Sequence, residues 1–245
     1  MRSSYPYLIH APITEAVLDL HVDLPPTVTL ATLGGLASRL GAEFPDVRPI
    51  HRLQANLDLT EGGVASGSSE TIGNIYWNTD KSMAVQVRLA GFAVNHVRSY
   101  AGWENFRRRA EVLWAHYCDL AQPRKILRCA LRYINKLPLP ADRELSTQLR
   151  TRPEVSADLP QRLEGYFMRL ALPFEDGRKA VITQATEDAL EGTDQRHLIL
   201  DIDVSVERDL DPGSGTVWDE LESLREIKNR CFFSSLEKSA WEGYR

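Results

Sequence analysis

The chain has 245 residues, 43% of them hydrophobic and 26% charged, with a formal net charge of −5. Such a composition excludes disordered and fibrous classes, and a chain this long buries about 70% of the surface it would expose unfolded, so its core needs neither disulfide nor metal. The acidic balance argues against sequence-independent nucleic-acid binding, and no run of about 18 apolar residues marks a membrane span.

The opening stretch, MRSSYPYLIHAPITEAV, lacks the apolar core of a signal peptide, which places the protein in the cytoplasm. Glu15 to Asp23 then alternates, with Ala16, Leu18, Leu20 and Val22 opposite Glu15, Val17, Asp19, His21 and Asp23. That period of two predicts a half-buried strand. Leu30 to Phe44 has helical spacing weakened by Gly34-Gly35. A second alternating strand is predicted over His51 to Leu59, and residues 60–70 read as a flexible Gly/Ser-rich loop. Further strands fit Thr71 to Asn78 and Met83 to Val97, the latter interrupted near Gly91, where a bulge is expected.

Gly102 to Ala121 is the strongest helix, with Trp103, Phe106, Ala110, Leu113, Trp114, Tyr117 and Cys118 along one stripe. Its aromatics read as core and Arg107-Arg108-Arg109 as a solvated flank, although the pair resembles a base-stacking patch. ILRCALRYINKL, residues 126–137, is the next strand; residues 141–161 are a polar connection without an assigned element. Tyr166 to Leu172, Lys179 to Glu187 and His197 to Glu207 complete the strands. A last helix from Thr216 carries Val217, Leu221, Leu224, Ile227, Lys228, Cys231 and Phe232 on its inner side. The predicted fold is α+β: a mostly antiparallel sheet of about eight strands, with three helices packed on one face. It forms a single domain with two loosely similar halves, about 1–122 and 123–245.

Candidate sites come from the strand faces. Alternation puts Arg128, Arg132 and Lys136 on the outer face, with Asp19, Arg52, Arg88, Arg169, Asp201 and Asp203 as possible neighbours. Arginine forks there could read a carboxylate or phosphate, or simply form cross-strand pairs with the aspartates. The Asp201-x-Asp203 pair suits a magnesium ion chemically, but alternating acids equally describe a solvated strand face. Arg128, Arg132, Arg169, Asp201 and Asp203 are therefore the candidate ligand or partner contacts. Tyr133 and Asn135 point inward, where the Asn135 amide requires a hydrogen-bond partner.

Cys118, Cys129 and Cys231 have no CxxC spacing and read as buried free thiols. The six histidines form no HExxH or HxH pattern, and no Walker loop, GxSxG or GxGxxG occurs. No metal, cofactor or catalytic residue is assigned on these grounds.

Five stretches carry a resemblance: Ala11-Pro12-Ile13-Thr14-Glu15-Ala16, Gly91-Phe92-Ala93-Val94-Asn95, Tyr100-Ala101-Gly102-Trp103-Glu104-Asn105-Phe106, Arg132-Tyr133-Ile134-Asn135 and Phe232-Phe233-Ser234-Ser235. In this order they resemble a sporadically distributed family of uncharacterised prokaryotic proteins of about this length. The resemblance implies no activity; patchy distribution is similar to that of defence and toxin-antitoxin genes. Two functions are expected from different classes. One is a non-catalytic interaction protein, a subunit or immunity partner that binds another protein. The other is an enzyme or sensor that binds an anionic small molecule or nucleotide between the two halves, in a groove lined by Arg128, Arg132 and Arg169 as its anion contacts.

Overall fold

A computed structural model of the protein describes residues 5–57, 65–98, 100–139, 144–161, 163–187 and 196–245. The chain order is β1 (Ile13–Asp23), α1 (Leu30–Gly34), α2 (Leu36–Leu40), β2 (Asp46–Leu57), β3 (Ala65–Trp77), β4 (Met83–Arg88), β5 (Gly91–Val97), α3 (Trp103–Ala121), β6 (Lys125–Leu139), β7 (Phe167–Pro173), β8 (Arg178–Glu187), β9 (Arg196–Leu210), α4 (Thr216–Ser235) and α5 (Lys238–Trp241). Among the described residues, nine strands form one antiparallel sheet in the order β2-β3-β4-β5-β1-β6-β9-β8-β7.

The two halves share a path. Each starts on a central strand, β1 or β6, runs to an outer edge, β2 or β7, returns as a meander to lie beside its own first strand, and ends in a long helix. β1 and β6 pair with each other, so the halves meet at the middle of the sheet. The first half differs by one extra meander strand and by α1 and α2.

Alternation decides which face the helices cover. Leu18, Leu20, Leu131 and Val204 have no exposed surface and belong to one continuous core with Phe106, Leu113 and Tyr117 of α3 and Val217, Leu221 and Leu224 of α4. Leu33, Leu36 and Leu40 of α1 and α2 join the same core against α3, β3 and β4. Burying each of these leucines contributes about 1.5–3 kcal/mol. The opposite face carries Asp19, Arg88, Arg128, Arg132, Asp201 and Asp203.

Several boundaries differ from the sequence expectation. Met83 to Val97 forms two strands joined by a turn at Leu89-Ala90, which raises the strand count from about eight to nine. Gly91 marks that turn because a Cβ there would sit 2.3 Å from the Leu20 carbonyl oxygen of β1. The helix expected over Leu30 to Phe44 is split at Gly34-Gly35 into two helices of five residues each. Ala65 to Glu70, expected within a loop, extends β3 against β2, and the rest of that loop lies outside the described residues. The connection after β6 returns along the end of α4, where Leu149 bridges Leu236 and Arg150 N–H donates to the Ser235 carbonyl. Among the described residues no helix is long and apolar enough to cross a membrane.

Candidate functional site

The outer sheet face holds most of the residues that alternation singled out, and ion pairs join them there, with Arg88 Nε and Asp203 Oδ1 buried without a hydrogen-bond partner among the described residues. The Asp19 carboxylate accepts from Arg88, lies 3.5 Å from Arg128 Nη1 and contacts His21 Nε2 at 3.0 Å. Burial raises the pKa of Asp19, but the His21 and Arg88 contacts outweigh it and hold the group below the ordinary carboxylate value. Arg128 also reaches Asp203 at 3.7 Å. Burial raises the Asp203 pKa against the pull of Arg128 and Arg132. Arg132 grips Asp201 with both Nε and Nη2, at 2.9 and 2.7 Å.

Arg169 stands apart from this network. It is exposed on edge strand β7, and the pairing register sets Thr183 of β8 between it and Asp201. That offset of two strand spacings is about 10 Å. The fold thus brings Arg128, Arg132, Asp201 and Asp203 together and leaves Arg169 outside the cluster. Among the described residues no three His, Cys, Asp or Glu side chains are placed to hold a metal ion.

The helix-covered side carries a cavity of about 410 Å³, within the range of small-molecule sites. Its walls come from both halves: the N-terminal segment before β1 (Tyr5 to Leu8, Ala11 and Pro12) with Ile13 at the start of β1, the entry to α3 (Tyr100, Gly102, Trp103 and Glu104), Tyr133 and Asn135 of β6, and Arg225, Lys228, Asn229, Phe232 and Phe233 of α4. Gly102 lets the chain turn into α3 with φ at +93°, a conformation that side-chain-bearing residues rarely adopt.

Aromatic rings frame this space. Tyr5 stacks on Phe233 with centroids 5.1 Å apart and planes 2° from parallel, and the rings of Tyr100 and Tyr133 meet edge to face at 5.6 Å. The two hydroxyls of the latter pair are 2.9 Å apart. Burial pushes both phenols well above their ordinary pKa, so both stay protonated at neutral pH. Asn135 is buried, and its amide donates to the Leu200 carbonyl at 3.0 Å, which supplies the inward partner expected for it.

The cavity's two cations differ in their partners. Arg225 pairs with Glu222 at 2.5 Å, and that same carboxylate accepts from the Trp103 indole at 2.6 Å. Lys228 Nζ lies 4.2 Å from the centre of the Tyr133 ring, a cation–π contact. Burial, followed by the nearby charge of Arg225, brings its pKa down from 10.5 to about 7. The chain has six lysines. Lys81, Lys125, Lys136, Lys179 and Lys238 each pair with a carboxylate. Lys228 alone has no acid within ion-pair distance among the described residues, and Glu104, the acid on the cavity wall, is exposed.

One local signal points to this site, a lysine on the apolar stripe of the last helix. The meeting of the N-terminal segment with α3 and α4 had no local signature. No protein-family model and no curated protein matches the chain.

Proposed function

We propose that this protein binds a small organic molecule in the cavity between its two halves, and that the ligand has a planar or apolar body and one anionic group. The observation that carries this reading is Lys228, a cation on the cavity wall that makes no ion pair with a carboxylate among the described residues, in a chain whose other lysines each make one. Holding an ammonium away from water without a counter-charge is unfavourable, and an anion from solution relieves that cost. The aromatic walls suit the rest of such a ligand. On the outer face Arg128 and Arg132 already have aspartates, so an incoming anion there would have to displace them.

A thermal-shift screen with small aromatic carboxylates, nucleotides and sugar phosphates tests the reading. A true ligand at ~100-fold its Kd stabilises by about 2.7 kcal/mol, or about 5 °C or more in a chain of this size. The shift should fall to about half or less in Lys228→Met and persist in Arg132→Gln. Silence across all compound classes would reject the reading and favour the alternative, a non-catalytic protein that binds another protein.

A further inference from the structure

We infer that Lys228 is a nucleophile that captures the carbonyl carbon of an aldehyde or α-keto acid as an imine inside the cavity. This rests on the ligand-binding reading above and names the chemistry of that ligand. Three observations combine. The amine lies against the Tyr133 ring and makes no ion pair with a carboxylate among the described residues, the Glu226 charge acting on it without direct contact. The neighbouring cation, Arg225, is paired with Glu222, yet its charge still opposes a second positive charge beside it. The Tyr100 and Tyr133 hydroxyls form a protonated pair by the ring on which the amine rests.

An amine of ordinary basicity is almost wholly protonated at neutral pH and has no lone pair to offer, whereas a desolvated lysine beside another cation has one. That lone pair attacks the carbonyl carbon; the C–N bond forms as the C=O π pair moves to oxygen. One proton passes from nitrogen to that oxygen to give the carbinolamine. Loss of the hydroxyl with a second nitrogen proton releases water and leaves the C=N bond. No electrons are exchanged with any further reactant.

Pyridoxal 5′-phosphate serves as the probe because it joins an aldehyde, a planar ring and an anion. The full-length protein is incubated with a substoichiometric amount at pH 7.5, reduced with borohydride and mapped by peptide mass spectrometry. The adduct should occupy Lys228 at least about tenfold above each of the other lysines. Glyoxylate should compete for the same position. Lys228→Arg should lose the adduct yet keep the thermal shift produced by simple carboxylates. An adduct spread evenly over all lysines, or no adduct, overturns the imine. If carboxylates still shift the wild-type melting temperature in that case, ligand binding stands without it; if neither effect occurs, both readings fall.

Discussion

The two faces of β6 treat charge in opposite ways. On the outer face, Arg128 and Arg132 sit among Asp19, Asp201 and Asp203, and the acids and bases hold one another. On the covered face, Tyr133 supports the ring contact of Lys228, which has no acid within ion-pair distance among the described residues. Paired charges across strands are explained by the stability of the sheet. A charge without a partner on a cavity wall costs stability, and binding accounts for it better than folding does. This contrast locates the proposed site more firmly than the density of charged residues, which is higher on the outer face.

Breaking the outer network should have the largest effect on stability. Asp19→Ala leaves Arg88 and Arg128 without their shared carboxylate, so we expect chemical denaturation to show a loss of about 2–3 kcal/mol, with ligand-induced thermal shifts unchanged. A loss of binding in that variant would erase the distinction between the faces.

Lys228→Met should act in the reverse direction. Because the folded pKa of about 7 lies below the unfolded value of 10.5, the unfolded chain binds more protons between those values, and wild-type stability rises with pH across that window. Arg225, Glu226 and Cys231 on α4, with Tyr133 of β6 and Tyr100 ahead of α3, are the titratable or charged groups around this side chain. The methionine variant should therefore be more stable than wild type at pH 7 by roughly 1–2 kcal/mol, a figure discounted because the side chain borders an open cavity. The advantage should disappear near pH 10. A pH-independent difference would mean that the lysine is not held away from water.

Tyr100→Phe removes one member of the hydroxyl pair and leaves the Tyr133 O–H without its partner. Thermal denaturation should register a loss of about 1 kcal/mol. Arg132→Gln, at a side chain that is 48% exposed, should cost less than about 1 kcal/mol and leave binding intact.

Much of the fold was legible because period two and helical spacing are local. Leu18, Leu20, Leu131 and Val204 could be assigned to the core from alternation, and α3 and α4 from their apolar stripes. Gly91 is an interruption legible in the sequence, but the Leu20 carbonyl that leaves no room for a side chain there lies far away in sequence, and the turn shows only in the pairing of β4 with β5. The outer arginines were legible for the same local reason, whereas their pairing depended on register. The cavity was hidden because its walls come from segments more than 200 residues apart, such as Tyr5 and Phe233. Lys228 stands in the sequence only as one residue of the last helix's inner stripe, and nothing local says which groups face it.

The central claim is tested most directly by isothermal titration of the strongest compound from the thermal screen against wild type, Arg132→Gln and Lys228→Met. The account predicts equal Kd values for wild type and Arg132→Gln, and affinity weakened at least about tenfold by Lys228→Met, the worth of one charge-assisted hydrogen bond. Binding that survives Lys228→Met and is lost in Arg132→Gln would contradict it and return the site to the outer face of the sheet.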